Sequence, residues 1–304
     1  MYTLKNLSKI YHPEKNYLNL IEHILRNGTK EKSRNGLVYT HIGSSMRFEL
    51  KNKTMPILTT KKMAWKSCLK ELLWFISGET DNRILQKKGV TIWEKNGKRD
   101  YLDSRGLYNN EEGDLGPIYG HQWRYFNAPY TNCNKSYKGL GVDQLSNIIK
   151  NLKDNENKYS RRLVMSSWNP CQLDEMSLPP CHVLSQFHVT EKNKLTCTLY
   201  QRSADVGLGL PFNIASYGFL THLIAHHCNL EAKELIHFIG NCHIYDDHKE
   251  ALNNQVDTAR HEGWYDFPTI DILEKRENID NYKFQDFQIN DYKYNKKIKM
   301  DMRA

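Results

Sequence analysis

Between residues 161 and 216 the chain reads RRLVMSSWNPCQLDEMSLPPCHVLSQFHVTEKNKLTCTLYQRSADVGLGLPFNIAS, a density of reactive side chains that packing alone does not call for. Cys181 is the candidate nucleophile, because Leu178-Pro179-Pro180 fixes the backbone ahead of it and His182 follows. A thiol attacks as its thiolate, so it needs a positive charge or a base nearby. Arg202, at the end of the strand expected to pair with the one carrying Cys181, is the candidate charge. Arg161-Arg162 and Gln201-Arg202-Ser203 suit a phosphate, since guanidinium forks and a hydroxyl match its oxygens. Arg34, beside Gly36, is a further candidate anion contact. Asn213 stands at the entrance of an apolar helix, and its amide both donates and accepts, as one edge of a pyrimidine requires. His243 and Tyr245, two apart on an expected strand, share a face and suit a sugar hydroxyl. Glu71 lies beside a helix's apolar stripe, where a carboxylate held in a pocket could handle protons. Taken singly, each has a plainer reading as a buried cysteine, a surface arginine or a part-exposed glutamate.

The elements that must position these groups are legible from periodicity. Helices are expected over residues 17–26, closed by Gly28, and over 65–77, where Trp65, Cys68, Leu69, Leu72, Leu73 and Ile76 form one stripe ended by Gly78. Asp143 should cap a third helix running to residue 152, and residues 212–227 are apolar almost all round, as in a buried central helix. Strands are expected at 37–39, 46–50, 163–168, 181–189, 195–201 and 234–241, the fourth and fifth joined as a hairpin. Residues 28–36 and 91–124 read as loops, 127–141 as a polar surface insertion, and the last quarter of the chain as short mixed segments. No repeat, linker or low-complexity block divides the chain, which implies one α+β domain over 1–304.

The 304 residues, 39% of them hydrophobic, suffice for a sizeable core. With no membrane-length apolar run and no apolar signal core, a soluble, intracellular, cytoplasmic protein is expected. Seven cysteines without a CxxC spacing argue against a disulfide framework or a zinc ribbon. His222 and His226 are helical neighbours, but without HExxH they do not make a metal site, and P-loop and complete GxGxxG sequences are absent. The formal charge of +8 favours anionic partners, though the lysines are spread along the chain.

Taken together, residues 161–216, ELLWF at 71–75, TIW at 91–93, GDLGPIYGHQWR at 113–124 and HIYDDH at 243–248 closely resemble thymidylate synthase over nearly the full length. LPPCH followed by QRSADVGLGLPFNIAS is the most specific part. The resemblance implies a large mixed β-sheet flanked by helices, with sheets stacking in a homodimer and Arg161 and Arg162 donated across the interface. It implies reductive methylation of dUMP to dTMP with 5,10-methylenetetrahydrofolate as cosubstrate and no metal, through a Cys181 adduct at uracil C6. Arg34, Arg161, Arg162, Arg202 and Ser203 would hold phosphate, Asn213 the base, and His243 and Tyr245 the ribose, with Gln201 a further substrate contact. Glu71 and Tyr119 would move protons. Asp205 would hydrogen-bond the pterin, with Ile92, Trp93, Asn96, Leu178 and Phe212 around the folate, Lys61 at its glutamate tail and Ala304 in the segment that closes over it. The chain departs from the family pattern at SRNGLV, one residue shorter than the usual arginine loop, at GNCH with Asn241 in place of an acid, and at its MDMRA end. Rival readings are a pyrimidine nucleotide hydroxymethylase on the same scaffold, a nonenzymatic RNA-binding protein and a Cys-His hydrolase. RNA binding could also accompany catalysis.

Overall fold

The computed structural model describes residues 12–303. In chain order the elements are α1 (Glu14–Asn27), β1 (Thr29–Ser33), β2 (Gly36–Glu49), α2 (Trp65–Ile76), α3 (Asn82–Lys87), α4 (Arg99–Ser104), α5 (Tyr119–Tyr125), α6 (Gln144–Lys153) and β3 (Val164–Ser166). There follow β4 (His182–Thr190), β5 (Lys194–Asp205), α7 (Gly209–His227), β6 (Glu231–Tyr245), α8 (Lys249–Glu262), β7 (Thr269–Ile272) and β8 (Phe287–Asn290). Ala304 lies outside the described residues.

Six strands make one mixed sheet in the order β1-β2-β6-β5-β4-β3, and β7 pairs with β8 in a second, small sheet. All neighbours in the large sheet are antiparallel except β5 and β6. That parallel pair requires a crossover, which α7 supplies. Fifteen of the 19 residues of α7 are buried, so it runs through the core between α2 and the sheet, with Phe219, Leu220, Leu223 and Ile224 fully enclosed. Helix α1 packs on β2, β6 and α8 through Tyr17, Ile21 and Ile24, one i, i+4, i+7 stripe. This is an α+β fold with a helix-flanked mixed sheet: the residue pattern implied the class, and the resemblance the sheet.

Among the described residues the opposite face of the sheet lacks such cover. In register across the strands, Ser45, Phe238, Tyr200, Leu184 and Ser166 form one row, and Phe238 and Tyr200 remain 43% and 42% exposed. Ile42 and Val164 are exposed as well. Among the described residues no helix is long and apolar enough to cross a membrane.

Several expectations need correction. The two short strands at 37–39 and 46–50 are one strand, β2, which passes straight through Gly43. The flanking pairs Ile42↔Asn241 and Ser44↔Ile239 place Gly43 opposite Gly240, and the positive φ of Gly43 is absorbed within the sheet rather than turning the chain. Residues 29–33, read as loop, form β1. The buried helix begins at Gly209, three residues early, because Pro211 is tolerated in a first turn. The loop-rich stretch 91–124 contains α4 and α5, and the last quarter contains α8, whose buried stripe of Leu252, Gln255, Val256 and Ala259 carries a polar member that masks its period.

Candidate active site

Cys181 ends the loop that feeds β4, and its own backbone is tied on both sides. Its N–H donates to the Tyr119 hydroxyl (2.7 Å) and its carbonyl accepts from Arg202 N (2.9 Å). Pairing slips between His182 and Leu184, so His182 and Val183 together face Gln201, a bulge at the point where the thiol emerges. Tyr119 reaches Cys181 because the preceding loop is pinned. Gly116 adopts a φ of +75°, a Cβ there would lie 2.0 Å from the Glu175 carbonyl, and Leu115 O accepts from Ser177 N, just ahead of LPPCH.

The guanidinium of Arg202 is fixed by the same loop. Its Nε donates to Pro180 O (2.8 Å) and its Nη2 to Pro179 O (2.9 Å), and Nη2 lies 3.9 Å from Cys181 Sγ. The Trp168 ring lies 5.6 Å from its centre. The two prolines therefore do more than stiffen the chain: they aim two carbonyls at the cation. Burial pushes the Cys181 thiol up, while Arg202 and Arg34 pull it down without reversing the shift. The charge of Arg202 acts as the sequence implied, but desolvation outweighs it.

Arg34, exposed in the short β1-β2 turn with its Nε on Asn35 Oδ1 (3.1 Å), is thus brought toward the thiol despite the shortened loop. Arg161 and Arg162 are not. Both stay exposed beside β3, and the charges felt at Cys181 are those of Arg202 and Arg34. Ser203 is half-buried next in line on β5, opposite Asn241 of β6. His243 faces Asp205 across the same pair, and its Nδ1 meets Asn241 Oδ1 at 3.0 Å, so the amide that replaces an acid still orients the ring. The Tyr245 hydroxyl is pushed up by burial and drawn down by a hydrogen bond with Asn35.

Asn213 lies in the second turn of α7, and its Oδ1 accepts from Gln201 Nε2 (2.9 Å). Because Gln201 pairs with His182 across the β4-β5 ladder, the amide of Asn213 is tied to the Cys181 wall through a single side chain. Glu71, on α2, is 8% exposed and accepts one hydrogen bond, from Trp93 Nε1 (2.7 Å). Burial raises its carboxyl to about 7, against that bond. Trp93 packs near Tyr119 (ring centroids 6.1 Å), which stacks on His182 at 4.3 Å. Glu71, Trp93, Tyr119 and Cys181 thus form one continuous wall.

Ile92, Leu178 and Phe212 are half-buried against the core beside that wall. Asn96 is buried with Nδ2 unpartnered, and Asp205 accepts from Gly207 N (2.9 Å). The final described residues run past this region: Asp301 O accepts from His248 Nε2 (2.8 Å), Met302 O from Lys95 Nζ (3.2 Å), and Arg303 pairs with Asp247. Lys61 is turned inward, 3% exposed, with its ammonium on the Gly207 carbonyl and its pKa lowered to about 8 by burial, rather than presented to a long anionic chain. An open groove of about 530 Å³ between α1 and α8, lined by Leu18, Glu22, Val256 and Arg260, holds no nucleophile, so volume does not locate the site.

A cysteine thus lies beside a clamped arginine, with a buried carboxylate and an oriented amide tied to the same wall. A family model described as thymidylate synthase matches residues 15–304. The chain belongs to the thymidylate synthase family. It is 47% identical over 294 residues to the bifunctional dihydrofolate reductase-thymidylate synthase of Plasmodium berghei (strain Anka), covering 96% of this chain and 49% of that protein. It is 46% identical over 293 residues to the bifunctional protein of Leishmania amazonensis, covering 96% of this chain and 55% of the relative. Against thymidylate synthase 1/2 of Encephalitozoon cuniculi the identity is 46% over 296 residues, covering 96% and 98%. The chain spans about half the length of the bifunctional relatives it matches.

Within this family frame, sequence reasoning missed four residues that shape the site. Trp168 and Tyr217 contribute aromatic surface under Arg202 and against His182, the latter by a 3.3 Å contact between the Tyr217 hydroxyl and His182 Nδ1. Asn35 and His237 hold other site residues. The signal for His237 was present, as a histidine at an inward position of an apolar strand, but its partner Gln201 is 36 residues away.

Proposed function

We propose that this chain carries out reductive methylation of 2'-deoxyuridine monophosphate to thymidine monophosphate, with 5,10-methylenetetrahydrofolate as cosubstrate and dihydrofolate as second product. One arrangement carries the reading: the Cys181 thiol stands beside the doubly clamped Arg202, on a wall joined to Asn213 through Gln201. C5 of uracil is a weak nucleophile, and that arrangement is suited to changing it.

Burial resists loss of the thiol proton while Arg202 and Arg34 favour it, so ionisation depends on both guanidiniums staying in place. The Cys181 sulfur then bonds to C6, and the electron pair of the C5=C6 bond moves toward C5 and O4. Asn213, whose Oδ1 is taken by Gln201, offers its amino group to O4 where charge builds. The folate supplies the one-carbon unit and then the hydride that reduces it. Tyr119, beside the nucleophile, serves loss of the C5 proton, and Glu71, near neutrality at physiological pH, holds or returns a proton on the O4 side. When the C6–S bond breaks, the pair returns to sulfur. Ile92, Trp93, Leu178 and Phe212 suit the flat folate ring, Asp205 and the unpartnered Asn96 amide suit its polar edge, and the tail through Met302 shields it from water.

The working unit in this reading is a homodimer stacked through the uncovered sheet face. Its support is the exposed apolar pair Phe238 and Tyr200, with half-buried Leu184 in the same row and Arg161 and Arg162 exposed beside it. Arg161 and Arg162 of a second copy then join Arg34, Arg202 and Ser203 on the phosphate, while His243 and Tyr245 take the ribose hydroxyl.

The test is Cys181→Ser, assayed by the absorbance of dihydrofolate and by equilibrium binding of the nucleotide. Turnover should vanish while binding persists. Turnover retained by the serine variant would end the thiolate mechanism.

A further inference from the structure

On the strength of that reading, we propose that His237, which lies outside the substrate's reach, is a positioning residue for base choice: its Nε2–H fixes the Gln201 amide, and Gln201 fixes Asn213 for uracil rather than cytosine. One atom in this relay cannot change role. The Ser203 carbonyl only accepts, and Gln201 Nε2 lies 2.9 Å from it, so the amino end of Gln201 is fixed there. The second hydrogen of that amino group goes to Asn213 Oδ1 at 2.9 Å. The other end, Gln201 Oε1, meets His237 Nε2 at 2.9 Å and has only lone pairs to offer, so His237 carries its proton on Nε2.

A second observation agrees. His237 is fully buried, and its Nδ1 has no partner. An unpaired lone pair is tolerable there, whereas an unpaired N–H would be a buried donor without an acceptor. Burial holds the ring neutral, so its tautomer and not its charge does the work.

The consequence reaches the base. With Oδ1 turned to Gln201, Asn213 keeps one lone pair for an N3–H and points its amino group at a carbonyl, which is the pattern of uracil. Cytosine reverses both positions. To suit it, Asn213 would flip and set its amino group against that of Gln201. Gln201 could follow only by turning its carbonyl onto the Ser203 carbonyl and its amino group onto the His237 N–H. Accommodating the wrong base therefore breaks the Gln201–Asn213 pair or, if Gln201 turns as well, its bonds to Ser203 and His237, so the cost is set in part by His237 behind the base contact.

Two measurements test this. Long-range nitrogen–proton correlation on the free, labelled protein should show His237 as the Nε2–H tautomer, and finding Nδ1–H would overturn the relay whatever the enzyme's substrate. Titration of wild type, His237→Phe and His237→Gln with the uracil and cytosine deoxynucleotides then reads the preference. His237→Phe should lose about tenfold or more of the uracil preference, while His237→Gln, which still offers a donor, should keep it. An unchanged ratio in His237→Phe would refute the relay. If wild type bound neither nucleotide, the proposed reaction would fall while the tautomer still judged the network, and an insoluble phenylalanine variant would leave that same spectrum to decide.

Discussion

Glu14 on α1 and Glu71 midway along α2 are both buried carboxylates, yet they are solvated in opposite ways. Glu14, at the start of α1, is fully buried and takes hydrogen bonds from Thr59 N (2.9 Å), Thr59 Oγ1 (2.8 Å), Thr60 N (2.9 Å) and Thr60 Oγ1 (2.6 Å). Burial pushes its carboxyl up and those four donors hold it down. Glu71 has the single Trp93 donor. A carboxylate whose lone pairs are occupied by backbone and threonine groups is a clamp, here joining α1 to the segment before Lys61. One left with a single donor keeps lone pairs available to protons that come and go. Burial does not separate the two; the count of donors does.

That contrast can be broken in order of size. Glu71→Gln should lower kcat by about a hundred- to ten-thousandfold if the group moves protons, with nucleotide affinity little changed, as steady-state kinetics would show. A loss confined to KM would place Glu71 with the clamps. The same substitution should alter stability with the opposite sense. Because the folded pKa of Glu71 is raised from 4.5 to about 7, the stability it contributes is complete below pH 4.5 and is lost as pH rises through about 7. Above that range Glu71→Gln should be the more stable form, by no more than about 3 kcal/mol, in denaturant melts run at pH 5 and pH 8. Glu14→Gln should do the reverse, costing about 2 kcal/mol because an amide donor meets the Thr59 or Thr60 donors, and leaving nucleotide affinity in place. The smallest effect belongs to Trp93→Phe, which removes the one donor to Glu71: its carboxyl should titrate at still higher pH, followed by carboxyl carbon NMR.

The fold class and the helix stripes of α2 and α7 were legible from period, whereas the candidate residues stood out only as a set: Cys181, Arg202 and Asn213 within one specific string, and Glu71 beside a helix stripe, each have a plainer reading taken singly. What escaped was whatever depended on a partner distant in the chain. Nothing near Gly43 reveals that it faces Gly240 and lets β2 run on. The polar Gln255 inside α8's stripe looks wrong until Thr60 is seen 2.8 Å away. Asn213 reads as a base contact from its position, yet the direction of its amide is set by Gln201 and His237. Arg161 and Arg162 stand apart from Cys181 within one chain, and only a second copy would give them the role the motif implies.

The extra residue in β4 has a geometric corollary. A regular strand alternates faces, so had the pairing run on without the slip, with Val183 alone opposite Gln201, His182 and Cys181 ahead of it would each have turned to the other face of the sheet. The aim of the sulfur is therefore a matter of counting along the backbone, and it was set by parity before any charge or pocket wall came into play.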